Sequence, residues 1–174
     1  MQYIYEANVK IGYRESGSIV VEFALVLILL LIIVAGIIEF GRAFWYYDAL
    51  AKATRDGARF LSTVSVSKVG DLAKATTAPS NCTDKYTDSD PITANRIVYC
   101  AAIAANVPDF DLDNVNVQCD GGACVNGTAP EYIKVSIEGY PVTIGGWIPF
   151  ILPTGGVTEW TLNLSPATTM RYIR

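Results

Sequence analysis

"GSIVVEFALVLILLLIIVAGIIEFG", residues 17–41, decides how the whole chain is read. From Ile19 to Ile38 the run is apolar except for Glu22. Twenty helical residues at 1.5 Å each span about 30 Å, one hydrocarbon core. A secretory signal has a shorter apolar region, about 7–15 residues, followed by a small-residue cleavage site. Neither feature fits here, so the run reads as a retained transmembrane helix. Glu22 is then the anomaly. An acid at mid-bilayer costs roughly 2.5–3.5 kcal/mol on insertion scales.

Outward from this run the composition changes. The 174 residues carry a net charge of −4, 51% hydrophobic residues and no histidine. Much of the hydrophobic content lies in the first quarter, and the rest has the Asn, Thr, Asp and Gly content of a water-facing domain. No basic patch stands out, which argues against a nucleic-acid partner. Without histidine, the commonest general base and metal ligand are missing. No glycine-rich phosphate loop, nucleophile elbow or histidine dyad occurs, and no cofactor is implied.

C-terminal to the run, Phe40, Phe44, Trp45, Tyr46 and Tyr47 form an aromatic cluster suited to a membrane interface. Phe44, Tyr47, Ala51, Thr54, Ala58 and Leu61 then recur at steps of three and four, which predicts a helix continuing to about Ser62. From Ser18 this spine would be about 68 Å long. Glu39, three residues before Arg42, reads as a solvated or locally paired interface residue.

All four cysteines, Cys82, Cys100, Cys119 and Cys124, follow the apolar run, with no Cys-x-x-Cys pattern. An even count beyond a membrane anchor points to disulfides in an oxidising compartment. Three pairings are open. Cys119–Cys124, closing "CDGGAC", together with Cys82–Cys100 is the favoured one. Positive charge gives the opposite cue for orientation. The flank after the run carries Arg42, Lys52, Arg55 and Arg59 against Lys10 and Arg14 before it. The cysteines are given more weight.

Residues 63–90 read as a loop or partly ordered linker. A helix is predicted over 92–106, with Pro91 in its first turn and Ile92, Arg96, Tyr99, Ile103 and Val107 along one face. "NVNVQC" and "YIKVSIEG" alternate as strands. "YPVTI" extends the second strand or starts a third, with Pro141 marking an edge or bulge. "WTLNLSPATTMRYIR" gives a final strand pair or one broken strand. The fold class is α+β: a long N-terminal transmembrane and spine helix, then a small head with one helix and a short antiparallel sheet. "WIPFIL", residues 147–152, is either an exposed docking loop or part of the head's core. Asp109, Asp111, Asp113 and Asp120 fall at positions one, three, five and twelve of a calcium-loop template. Asn114 replaces the template's glycine and Asp120 its glutamate, so the metal reading is weak.

The anomaly at Glu22 acquires a reason if a peptidase cuts after Gly17. Ser18 then carries a free α-amine, and Glu22 becomes the fifth residue. Pairing with that amine, in its own chain or a neighbour's, would offset the desolvation of both charges and fix axial register. Residues 15–62 closely resemble the TadE-like family, pseudopilins of the tight-adherence (Flp-type) branch of type IV pilus systems. The resemblance rests on Gly17, Glu22-Phe23, Glu39-Phe40-Gly41 and "ATRDGAR" from Ala53 to Arg59. It implies a cytoplasmic leader, residues 1–17, removed by a prepilin peptidase between Gly17 and Ser18. It also implies a helix at 18–62 held in the bacterial inner membrane, and a periplasmic or extracellular head at 63–174. The expected partners are other pilin and pseudopilin subunits, the inner-membrane assembly machinery and lipid. The protein would be structural rather than enzymatic, and would initiate, tip or build a filament for adhesion or secretion. The leader is less basic than is usual in the family, with Glu6 and Glu15, and the apolar run lacks the proline many relatives have. The alternative is an independent single-pass membrane protein whose exported, disulfide-bonded head binds a partner or ligand.

Overall fold

The computed structural model describes residues 16–79, 82, 91–145 and 160–173. The fold is α+β. Helix α1 (Ser16–Ser62) is followed by α2 (Ala94–Ala104) and five short strands. These are β1 (Val115–Cys119), β2 (Tyr132–Ile137), β3 (Tyr140–Ile144), β4 (Trp160–Leu164) and β5 (Ala167–Arg171). The chain divides into a first unit ending at Ile38 and a second, Glu39–Arg174. The second unit therefore contains the C-terminal half of α1, which is its first core helix.

That half is amphipathic, and the stripe expected from the sequence holds at Thr54, Ala58 and Leu61 but not at Phe44 and Tyr47. Ala43, Leu50, Ala53, Thr54, Ala58 and Leu61 are buried, whereas Phe44 and Tyr47 are exposed. The reason is close packing. Small residues let the helix axis approach its neighbours, so the large aromatics point away. In α2 the expected face is likewise kept only in part, with Arg96 and, just past the helix, Val107 buried. Ala94, Val98 and Ala102 are fully buried, while Ile103 is 40% exposed. The helix also begins later than predicted, with Thr93 at its N-cap position and Pro91 outside it. Asn95 is buried and uses its amide to hold the loop before α2, accepting from the Ala75 N–H and donating to the Ala75 carbonyl, both at 2.9 Å. Residues 63–79 are thus pinned; Val69 and Ala73 enter the core.

The strands form a three-stranded antiparallel sheet, β1-β2-β5, and a two-stranded one, β3-β4, rather than the single sheet expected. The registers show how these are related. Ser136 pairs with Ala167 and Tyr140 with Leu164. Three residues, 137–139, therefore oppose two, 165–166, as in a β-bulge. Gly139, at φ +61°, supplies the left-handed conformation at this break. The extra residue resets side-chain parity. Ile133, Val135 and Ile137 are buried before it, and Tyr140 and Val142 after it. Without the insertion, Pro141 and Thr143 would turn inward instead. Pro141 sits exposed in the two-stranded ladder, where a missing N–H costs least.

The chain from Trp160 to Ile173 runs alongside α1 in the same direction as the helix. The Ile173 N–H donates to the Ser62 carbonyl at 3.1 Å. The Thr54 and Thr168 hydroxyls are 3.0 Å apart. Arg42 Nη2 donates to the carbonyl of Thr143, which pairs with Thr161, at 2.7 Å. From residue 173 to residue 160, then, the strands move towards the start of the unit at Glu39.

Two disulfides join Cys82 to Cys100 and Cys119 to Cys124, with Cα separations of 5.3 and 4.9 Å. The leader up to residue 15 and "WIPFIL" lie outside the described residues.

Candidate functional site

The first turns of α1 bring the candidate processing and assembly residues together. Gly17 and Ser18 lie in the opening turn, where backbone N–H groups have no intrahelical acceptor. Glu22 follows Ser18 by four residues. That spacing places both on one helix face about 6 Å apart along the axis. Phe23 is 65% exposed, and Glu22 is exposed too. Among the described residues Glu22 has no salt-bridge partner. Glycine is not needed at position 17 for packing, since a Cβ there would meet nothing within 4 Å. Gly36 and Gly41 share that property. Packing within the described residues does not require glycine at any of the three.

Beyond Glu22, every Ile, Val, Leu and Phe from Ile19 to Ile38 is exposed. The apolar surface runs right round the helix, with no polar face for water. A helix of this kind needs lipid or other helices around it. The stretch is long and apolar enough to cross a membrane, and none of its most apolar window is buried. Its N-terminal helix marks the chain as a membrane-anchored protein.

At the other end of the apolar run the first charges are paired. Glu39 is only 6% exposed, and its carboxylate accepts from Arg42 Nη2 at 2.7 Å. The sequence reading allowed for this local pairing; the burial of Glu39 was not foreseen. Phe40, Phe44 and Trp45 are more than 60% exposed on the helix surface away from the core.

The aspartates of the calcium template have other tasks. Asp111 caps the short 3-10 turn Leu112–Asn114, accepting from the Asp113 N–H, while Asn114 reaches back to the Asp111 N–H. The Asp120 carboxylate accepts from the backbone N–H groups of Glu131 and Tyr132, each at 3.0 Å. Asp109 has φ +49° before that turn. Among the described residues no group of three or more His, Cys, Asp or Glu side chains could hold a metal ion.

Sequence reasoning did not single out Tyr140. It is buried, stacks obliquely on Phe110 and donates its hydroxyl to the Pro108 carbonyl. Its pKa is pushed up to about 12, first by burial and then by Tyr46 and Asp109, with Arg42 opposing. A phenol fixed in its neutral form is a structural donor. Arg42, Tyr46, Asp109, Tyr140 and Thr143 line a groove of about 280 Å³ between α1 and β3.

Residues 17–59 match the family model described as TadE-like protein. No curated protein and no solved structure matches this chain.

Proposed function

We propose that this chain is a structural subunit of a Tad/Flp-type type IV pilus system, made as a precursor and cut between Gly17 and Ser18 by a prepilin peptidase. Before assembly, α1 holds it in the inner membrane with the Glu39–Arg174 unit on the periplasmic side. During assembly, α1 moves from lipid into a bundle of like helices from other pilin and pseudopilin subunits. The fully exposed apolar surface from Ile19 to Ile38 suits both environments, because both cover it on all sides. Its role is scaffolding, as a tip, priming or building subunit, and no catalysis is assigned to it.

One observation carries this reading. The family match begins at Gly17, the residue before the proposed cut, and includes Glu22-Phe23 at the fifth and sixth positions of the product. In the cut chain Glu22 meets an α-amine at Ser18 or at the Ser18 of a neighbour. That pairing offsets the cost of taking a carboxylate into an apolar bundle, and sets how far each helix slides past the next. Glu22→Ala tests it. The variant inserts into the membrane normally and is lost from assembled filaments or from complexes with the other subunits. Assembly at the unaltered level would count against the pairing role.

A further inference from the structure

We infer that the Ile144–Trp160 end of the β3–β4 hairpin, carrying Trp160 and Leu162, docks into the lipid headgroup layer of the membrane that α1 spans. This rests on the reading of α1 as a membrane span. It concerns a second, separate contact with the bilayer.

Parity places the side chains. On the β3–β4 ladder, Tyr140, Val142 and Ile144 pair with Leu164, Leu162 and Trp160, and all six share one face. This face continues the core face of β2 across the bulge. Its burial fades along β4: Leu164 is 7% exposed, Leu162 45% and Trp160 72%. A core-facing surface therefore runs off the end of the core and leaves a tryptophan uncovered.

The position of that end is set by α1. Thr143 O and Glu39 Oε2 each lie 2.7 Å from the same atom, Arg42 Nη2, so they are at most 5.4 Å apart (2.7 + 2.7). Glu39 is the first residue after the apolar run. Ile144, next to Thr143, is opposite Trp160. The fading end of the hairpin thus stands beside the helix residue that leaves the hydrocarbon. Headgroup layers add about 5–7 Å on each side of a ~30 Å core, enough to contain an indole at this level. Tryptophan is favoured at that depth, where its ring is wetted by carbonyls and headgroups and its N–H finds an acceptor. Phe40, Phe44 and Trp45, within six residues of Glu39 on α1, are exposed as well. The hairpin end would complete an aromatic belt supplied by two elements rather than one. Four χ angles of indole and leucyl side chain are ordered in exchange for apolar burial at roughly 25 cal/mol per Å².

The test uses the full chain reconstituted in phosphatidylethanolamine/phosphatidylglycerol vesicles. With Trp45→Phe and Trp147→Phe, Trp160 is the sole tryptophan. The vesicles are first floated, then Trp160 emission is recorded with lipids spin-labelled near the headgroup, with lipids labelled at the chain end, and with aqueous acrylamide. The expected result is blue-shifted emission, strong loss of fluorescence with the shallow label, weak loss with the deep one, and protection from acrylamide. It should persist as the protein is diluted in lipid. Leu162→Trp in a Trp160→Phe background gives a second reporter with the same expected pattern. Retention of both disulfides together with a cooperative unfolding transition in circular dichroism shows that each variant is folded. Flotation with water-like Trp160 emission and no lipid quenching overturns the inference alone. A blue shift that disappears on dilution, without lipid quenching, also overturns it, and assigns the surface to a second copy. A chain that does not float overturns the membrane reading beneath it.

Discussion

Gly57 of α1 meets α2 so closely that a Cβ on it would stand 2.7 Å from Val98 Cγ2 and 3.0 Å from the Ala94 carbonyl oxygen. The two helices are in contact at a glycine, with backbone on one side of the contact. In an isolated helix, Gly→Ala gains about 1 kcal/mol. Here the methyl group would enter a filled space where the backbone oxygen cannot rotate away, an overpacking cost of about 1–3 kcal/mol. The second effect wins. Gly57→Ala should lower the stability of the full chain in detergent by about 1–2 kcal/mol in chemical denaturation. Val98→Ala in the same chain should restore only part of this, because the Ala94 carbonyl remains. A Gly57→Ala protein as stable as the parent would contradict the packing described.

That contact also shows where sequence patterning stops. The element types were legible: α1 from its length and composition, α2 from its period, and the strands from alternation. The faces were less so. A stripe drawn through Phe44 and Tyr47 assumed that the largest apolar residues face the core. In fact Ala43, Ala53 and Gly57 do, because close approach of elements selects small side chains. Likewise Pro141 in "EGYP" signalled an edge or bulge, but not that Ile137 and Tyr140 share a face. That follows from a bulge defined only by pairing with Ser165 and Pro166. Of the candidate site, Gly17, Ser18 and Glu22 could be named from the sequence because the roles proposed for them rest on spacing along one helix. The amine proposed to pair with Glu22 could not be located, since the uncut chain has none at Ser18.

The two disulfides should contribute unequally. Cys82–Cys100 closes a separation of 18 residues and Cys119–Cys124 one of 5. Loop-closure entropy gives about 3 and about 2 kcal/mol respectively. The smaller loop is also held by reciprocal backbone hydrogen bonds between Cys119 and Gly122, at 2.8 and 2.9 Å. Replacing Cys82 and Cys100 by Ser should therefore destabilise the chain more than replacing Cys119 and Cys124. Denaturation of the two double variants checks the order, and the reverse order would contradict it.

Tyr140 links folding to alkaline pH. Its folded-state pKa is raised from 10.0 to about 12, so the folded state holds the phenol proton more tightly than the unfolded chain. The stabilisation is fully present below the unfolded value. It is lost as pH rises through about 10 to about 12, where the unfolded chain ionises first. Tyr140→Phe removes this part of the dependence, although it also loses the bond to Pro108. The difference in stability between parent and Tyr140→Phe should therefore shrink across that range. A difference that stays constant would show that Tyr140 does not resist ionisation.

The central claim is that Glu22 belongs to a shorter chain than the one translated. Determining the N-terminus of the protein isolated from its native membranes tests this most directly. The account predicts a chain starting at Ser18, with Glu22 fifth. An intact chain still carrying residues 1–17, from cells with an active prepilin peptidase, would contradict it and leave Glu22 without the amine that explains it.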